Sequence, residues 1–316
     1  MSTRPSNLPS SRTTEPGTLA ALLTEVRQRL QAAGIDAPGL ESRRLVGHAL
    51  GLDDAALFAH GERPVSGADR KAVLTLAAAR EAGRPIAYLL GQREFWSLPL
   101  RVDEGCLIPR PETELLVERA LYRIPSGARR VIDLGTGSGA IVLALKSERP
   151  DLEAWATELS AAALAVAAAN ASALGLSVHW LQAHWLEAFA PAPLFDAIIS
   201  NPPYIDPLDP HLEQGDLRFE PRAALVAADR GLADLAVIAA EAREHLRPGG
   251  WLLLEHGYTQ GPAVRTLLQN RGFQEITTYR DPARLDRVTE GRRPNGNPVT
   301  DGQAHDWAKP SGPTTM

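Results

Sequence analysis

The chain reads as an α/β protein with a parallel sheet, preceded by a small all-helical domain, and two patterns carry that reading. Residues 19–90 hold apolar side chains at helical spacing. From about Arg129 onward, short apolar strands alternate with helical stretches, the arrangement of a parallel sheet covered on both faces. Composition agrees: 44% hydrophobic and 22% charged residues is ordinary for a globular protein, and 316 residues suffice for two domains. The 26 Gly and 25 Pro fall without a period, which excludes collagen-like and coiled-coil chains.

Leu19, Leu22, Leu23, Val26 and Leu30 predict an amphipathic helix after Thr18, with Gly34 as its stop. A second helix is expected over Pro38–Leu50, closed by Gly51. A third starts at Ser66, whose hydroxyl can cap the turn, with Asp69 three residues on. A short apolar turn, Pro85–Leu90, ends the segment. Nine Arg/Lys against eight Asp/Glu leave residues 19–90 near neutral, which suits protein docking better than phosphate binding. Phe95, Leu98, Leu100 and Val102, interrupted by Pro99, predict a hairpin between the two domains. A helix begins at Pro111, with Glu112 and Glu114 in its first turn, where acidic residues are favoured.

In the second domain, strands are expected at Arg130–Leu134, Glu153–Thr157, Val178–Gln182, Phe195–Ser200, Trp251–His256, Phe273–Tyr279 and Asp286–Glu290. Helices are expected at about Ala140–Glu148, Ala161–Leu174, Leu232–Leu246 and Pro262–Asn270. The expected boundaries are a disordered tail (1–17), a helical substrate-docking domain (18–90), a hairpin linker (91–106), the α/β domain (107–290) and a second disordered tail (291–316).

The net charge of -5 argues against a protein that grips nucleic acid over its whole surface. A single cysteine forms no internal disulfide, and with eight scattered histidines it makes no structural zinc site; no metal is expected, and a reducing cytoplasm is the expected compartment. Ala161–Leu176, the most apolar stretch, is mainly alanine and falls short of a bilayer span of about 20 residues, and residues 1–17 lack the apolar region of a secretory signal. Cys106 reads as a small core residue and His256 as a structural one.

The chemistry is expected at strand ends. Val131–Leu134 runs into Gly135-Thr136-Gly137-Ser138-Gly139 and then a helix, a loop whose backbone can approach a ligand closely and whose helix offers free N–H groups. About 20 residues on, Glu158 closes the second strand, the usual place for a carboxylate that binds ribose hydroxyls. Together they indicate a nucleoside-containing cofactor. The fourth strand ends in Asn201-Pro202-Pro203-Tyr204. Two prolines remove backbone donors and leave carbonyls as acceptors. The Asn201 side-chain oxygen and the Pro202 carbonyl can then both accept from one planar –NH2 group, with Tyr204 covering the flat face of its conjugated system. Such a nitrogen is a poor nucleophile, and positioning can supply about 7–11 kcal/mol of its barrier.

In this order, Gly135–Gly139, Glu158 and Asn201–Tyr204 resemble a class I S-adenosylmethionine-dependent methyltransferase. Leu107-Ile108-Pro109-Arg110-Pro111-Glu112-Thr113-Glu114, Glu94-Phe95, Phe219-Glu220-Pro221-Arg222 and Glu255-His256-Gly257 narrow the likeness, over about residues 19–290, to the HemK/PrmC family of release factor glutamine methyltransferases. The resemblance implies a Rossmann-like, mostly parallel seven-stranded sheet. It implies methylation of the glutamine amide in the Gly-Gly-Gln motif of class 1 peptide-chain release factors. By that likeness Gly135, Thr136, Gly137, Ser138, Gly139 and Glu158 hold S-adenosylmethionine, with Trp185 near the adenine. Asn201, Pro202, Pro203 and Tyr204 hold the glutamine amide, with Asn201 also near the cofactor and Asn201, Pro202 and Tyr204 as the catalytic set. The helical domain docks the release factor, with no nucleic acid or membrane partner and a monomeric state expected. Arg110 and Arg222 order loops around the substrate.

Two departures stand out. His184 precedes Trp185 where the family commonly has an acidic residue, and the late segment reads Arg284-Leu285-Asp286-Arg287-Val288, without the usual glycine before Asp-Arg-Val. The alternative reading is an amino-methyltransferase acting on adenine or cytosine in nucleic acid, since Asn-Pro-Pro-Tyr suits those amino groups too. The near-neutral helical domain and acidic charge weigh against it.

Overall fold

The structure, a computed structural model, describes residues 17–295. The expected N-terminal tail lies outside these residues except for Gly17. The C-terminal one does so from residue 296, but its start needs correcting: Gly291 and Arg292 belong to the last strand, where Gly291 pairs with Leu252 and Arg292 with Trp251.

The helical domain comprises α1 (Leu19–Ala32), α2 (Pro38–Leu50), α3 (Asp54–Ala59), α4 (Gly67–Glu81) and α5 (Ile86–Leu90). The Thr18, Asp53 and Ser66 side chains cap α1, α3 and α4 by accepting backbone N–H groups. Leu19, Leu22, Val26 and Leu30 of α1 meet Leu45 and Val46 of α2 and Val73 and Ala77 of α4 in one apolar core. α3 is absent from the sequence expectation because its six residues are too few to show a period. β1 (Gln92–Phe95) and β2 (Leu98–Arg101) form the expected antiparallel hairpin.

The α/β domain contains α6 (Glu114–Arg123), β3 (Arg130–Leu134), α7 (Ala140–Glu148), β4 (Glu153–Glu158), α8 (Ala161–Leu174), β5 (His179–Gln182) and β6 (Phe195–Ser200). A short turn, α9 (Ala228–Gly231), then leads into α10 (Ala233–His245), β7 (Leu246–Glu255), α11 (Gly261–Asn270), β8 (Gln274–Arg280) and β9 (Asp286–Arg292). The seven strands run in the order β5-β4-β3-β6-β7-β9-β8. Only β9 is antiparallel to its neighbours. Successive residues alternate between faces: Val131, Ala197, Ile199 and Leu253 pack with α6 and α7, while Ile132, Ile198, Leu252 and Leu254 pack with α10 and α11. β7 begins at Leu246, five residues before the expected Trp251, because Leu246 resumes pairing with Phe195 across a bulge.

The chain direction out of the sheet reverses between β3 and β6. The connection from β3 leads outward to β4, and that from β6 outward to β7, so a crevice opens at the carboxyl ends of these two strands. The helical domain is tied over this end. Arg80, already held by Glu41 at 2.6 Å, reaches Asp216 at 3.5 Å in the segment after Tyr204. Phe219 packs against Tyr88, Cys106, Ile108 and Val166.

Beside the far edge strand, the fully buried Glu290 of β9 accepts from Arg123 at 2.5 Å and Tyr279 at 3.1 Å, with Arg119 at 3.4 Å. Removing one member of such a buried group strands the others. Glu290→Ala is expected to lower the urea-unfolding free energy by about 3 kcal/mol. A loss below about 0.5 kcal/mol would contradict this account of the α6–β9 packing.

Candidate active site

The residues that close β3 and β6 build the site. Val131–Leu134 pairs in parallel with Ala197–Ser200, so Leu134 lies opposite Ser200 and the two following loops leave the sheet side by side. The Ser200 hydroxyl donates to the Leu134 carbonyl at 2.8 Å. In the first loop, Gly135 and Thr136 donate to the Thr157 carbonyl at the tip of β4. Gly137, at φ +58°, has open space where a Cβ would stand. The Gly137 N–H donates to Glu158 Oε2 at 2.9 Å, and Ser160 N–H to Oε1 at 2.8 Å. Both oxygens keep further lone pairs for hydroxyl donors. The Ser138 hydroxyl is buried without a partner among the described residues.

The second loop begins at Asn201. Its Nδ2 donates to Thr113 Oγ1 at 3.3 Å, which turns Oδ1 the other way. Pro202 is buried, and the Tyr204 hydroxyl donates to Glu255 Oε1 at 3.2 Å at the end of β7. Burial, with the Glu255 charge beside it, holds the Tyr204 phenol well above its usual range. Asn201 and Pro203 line the cleft. The Tyr204 ring packs against the core at this turn, and its hydroxyl is committed to Glu255. The backbone behind it is specialised: Asp229, Arg230 and Gly231 are all left-handed (φ +53°, +55° and +81°). That turn presses Gly231 against the Tyr204 carbonyl, which also accepts from Gln260 Nε2 at 3.0 Å.

The cleft has a volume of about 330 Å³, within the range of about 300–1,000 Å³ for small-molecule sites. Gly135, Thr136, Gly137, Ser138, Glu158, Trp185 and Asn201 all line it; Gly139 does not, being packed against Leu143 and Ala167 at the start of α7. Trp185 sits in the left-handed region (φ +42°), strain of about 1–3 kcal/mol of the kind that collects at binding sites. Its ring covers Gly135, where a Cβ would stand 2.9 Å from the indole.

Asp234 at the start of α10 shares the Trp185 wall, and half-burial raises its carboxyl pKa. The Trp185 indole N–H faces it without forming a hydrogen bond of full geometry. The sequence does not announce Asp234 or the Thr113 contact of Asn201, because each lies far along the chain from the residue it meets, Asp234 from Trp185 and Thr113 from Asn201, 88 residues away.

The Leu107–Glu114 string closes the other side. Glu220, buried, accepts from Ile108 N–H at 3.1 Å and pairs with the Arg110 guanidinium; burial raises its pKa, and Arg110 opposes the shift. Cys106 is buried, with its thiol pushed up to about 11 by burial, which fits the structural reading. His256 is likewise fully buried, bonded to Thr289 at 2.7 Å, and burial lowers its pKa. Beneath the glycine loop, Asp133 accepts the Thr136 hydroxyl at 2.6 Å, and burial raises its carboxyl to about 7. Among the described residues no cluster suits a metal ion, and no helix is long and apolar enough to cross a membrane.

A glycine loop and an acidic strand end at the switch point of a seven-stranded sheet, facing an Asn-Pro-Pro-Tyr turn, define a class I methyltransferase. The family described as PrmC N-terminal domain matches residues 21–91, and the methyltransferase small domain matches residues 111–215. The release factor glutamine methyltransferase of Xylella fastidiosa (strain Temecula1) is 50% identical over 275 residues, covering 87% of this chain and 98% of the relative. That of Escherichia coli (strain K12) is 47% identical over 270 residues, covering 85% and 97%. Among solved structures, the hMettl16 catalytic domain shares the fold at a TM-score of 0.51 and 17% identity, over 74% of this chain and 84% of that one. The chain belongs to the release factor glutamine methyltransferase family.

Gly231→Ala would drive a methyl group into the Tyr204 carbonyl at a backbone angle that alanine avoids. It is expected to cut methyl transfer by about a hundredfold, since a misplacement near 1 Å costs that much. Its affinity for S-adenosylmethionine, measured by calorimetry, stays within about threefold; a matching loss of affinity would contradict the assignment. For Asp133 the sign follows from its raised folded-state pKa. Its contribution to stability is full below about pH 4 and is lost as pH rises to about 7. Between pH 5 and pH 8, Asp133→Asn should therefore lose about 2 kcal/mol less unfolding free energy than the parent protein. Parallel pH curves would contradict the burial account.

Proposed function

We propose that the protein transfers a methyl group from S-adenosylmethionine to the side-chain amide nitrogen (N5) of the glutamine in the Gly-Gly-Gln motif of class 1 peptide-chain release factors. The observation that carries this reading is the pairing of Leu134 with Ser200, which brings the Gly135–Gly139 loop and the Asn201–Tyr204 turn to one cleft. The fit of the cofactor rests on the open space at Gly137, the unpartnered Ser138 hydroxyl and the spare lone pairs of Glu158. When bound, S-adenosylmethionine supplies a methyl group made electrophilic by its sulfonium.

In this reading Glu158, kept in place by the Gly137 and Ser160 N–H groups, receives the ribose hydroxyls. Trp185 flanks the adenine, and Asp234 offers the carboxylate that His184 does not. Asn201 Oδ1 and the Pro202 carbonyl accept the two hydrogens of the glutamine –NH2 group, fixing a nitrogen whose lone pair is otherwise delocalised. Each hydrogen bond adds about 0.5–1.5 kcal/mol, whereas orientation supplies about 7–11 kcal/mol, so geometry carries most of the rate. The two acceptors also stabilise positive charge growing on the N–H groups. Once methylated, the nitrogen is acidic and releases its proton to water, so no dedicated base is required.

Tyr204 acts from behind the turn, through Glu255. The helical domain docks the release factor; its near-neutral charge and the exposed Phe58 (93%), with Leu208 (90%) beyond the turn, suit a protein surface. The same reading places the enzyme in the cytoplasm as a monomer that binds neither nucleic acid nor membrane.

The test incubates the protein with labelled S-adenosylmethionine and, separately, a class 1 release factor, duplex DNA, RNA or buffer. Label is expected in the release factor and absent when the motif glutamine is replaced by alanine. Label in nucleic acid alone would overturn the reading.

A further inference from the structure

Behind the substrate turn lies a buried carboxylate that meets no substrate atom in the steps above. Glu255 closes β7, is 1% exposed, and accepts the Tyr204 hydroxyl on Oε1 at 3.2 Å. Its Oε2 makes no hydrogen bond of full geometry, so the group has capacity for a second donor. Thr113, itself 3% exposed, accepts the Asn201 amide at 3.3 Å, which leaves its single hydroxyl hydrogen to donate elsewhere. Burial, helped by the Glu112 carboxylate, raises the Glu255 carboxyl to about 7, while the Thr113 hydroxyl that faces it, the Arg287 guanidinium and Tyr204 favour its charged form. The hydrogen bonds run from Asn201 to Thr113 and from Tyr204 to Glu255, and the Thr113 hydroxyl hydrogen and the open Glu255 Oε2 are the unused donor and acceptor between them.

We propose that Glu255 is a positioning residue for methyl transfer: one buried carboxylate orients the Asn201 amide through Thr113 and anchors Tyr204 directly, holding both ends of the substrate-binding turn. The consequence rests on the reading of Asn201 as the acceptor for the glutamine amide. An amide is planar, and its two ends differ in kind. With Nδ2 committed to Thr113, Oδ1 is the atom presented to an –NH2 substrate; with the amide reversed, a donor would meet a donor. A chain of hydrogen bonds ending on a carboxylate also polarises its members, making Oδ1 a better acceptor. Asn201 alone does not specify its own orientation; Thr113 and Glu255 do.

The experiment is a double-mutant cycle on the full chain, with release factor as substrate and three readouts: kcat, KM for release factor and Kd for S-adenosylmethionine. Thr113→Val keeps the shape and removes the hydroxyl; Glu255→Leu removes the carboxylate; Glu255→Gln keeps one acceptor oxygen. Thr113→Val is expected to lower kcat about tenfold and Glu255→Leu at least as much, with cofactor Kd unchanged within about threefold. The double variant should match Glu255→Leu alone within about twofold, because both changes break one chain. Glu255→Gln should fall between the parent and Glu255→Leu, and it completes the cycle if Glu255→Leu does not fold. Additive losses, an unchanged kcat, or losses equal to those in cofactor affinity would overturn the proposal. The side-chain NH2 resonance of Asn201, followed by ¹⁵N NMR without any substrate, separates this test from that of the function. It should move in Thr113→Val and Glu255→Gln alike even if no release factor is methylated, and an unmoved resonance would overturn the proposal by itself.

Discussion

The hydrogen bond from Ser200 to the Leu134 carbonyl marks the constraint on which the site depends: β3 and β6 must end at the same level. Both strands leave the sheet at this pair, one into Gly135 and the other into Asn201. A slip of one residue in register would reverse the facing of every side chain in β6 and carry Asn201 away from the glycine loop. The apolar alternation guards against that slip, because Ile198 belongs to one core and Ala197 and Ile199 to the other. Packing on both faces of the sheet thus fixes the distance between the Gly135–Gly139 loop and the Asn201–Tyr204 turn, which are more than 60 residues apart in the chain.

Around this pair of strand ends the protein places carboxylates where water does not reach. Asp133 sits under the glycine loop, Glu255 behind the Asn201–Tyr204 turn, and Glu220 inside the segment that closes the cleft. Each receives N–H or O–H donors from a neighbouring loop, so each converts a flexible connection into a braced one. Burial raises all three pKa values, a cost that the hydrogen bonds offset only in part. The strain follows the same distribution: Trp185 and the Asp229–Gly231 turn are left-handed where they meet Gly135 and the Tyr204 carbonyl. Stability is spent at the strand ends and recovered in the sheet core and at clusters such as Glu290 with Arg119 and Arg123.

Most of this architecture was legible in the sequence because it is local. Arg130–Leu134, Phe195–Ser200, Ala140–Glu148 and Ala161–Leu174 are observed with the bounds that apolar period and flanking residues predict, and Ser66 caps its helix as its spacing suggests. The glycine loop and the Asn-Pro-Pro-Tyr turn are contiguous strings and were read as such. What could not be read depends on contacts across the fold. Thr113 meets Asn201 only because α6 and β6 pack together, Asp234 reaches the Trp185 wall from a helix after the turn, and nothing near Tyr204 in sequence announces that its hydroxyl is held by Glu255. α3 and the early start of β7 escaped for a different reason: six residues carry too little period, and a bulge interrupts the pairing at Phe195.

In the proposed reaction Asn201 is an orienting group whose value lies in the direction of one oxygen. The most direct measurement compares turnover on release factor with cofactor affinity in Asn201→Ala. Losing the acceptor should lower kcat by at least about a hundredfold while Kd for S-adenosylmethionine rises less than about fivefold, the signature of an interaction used to orient the reacting amide. Near-parental turnover, or an equal loss in both quantities, would contradict the account.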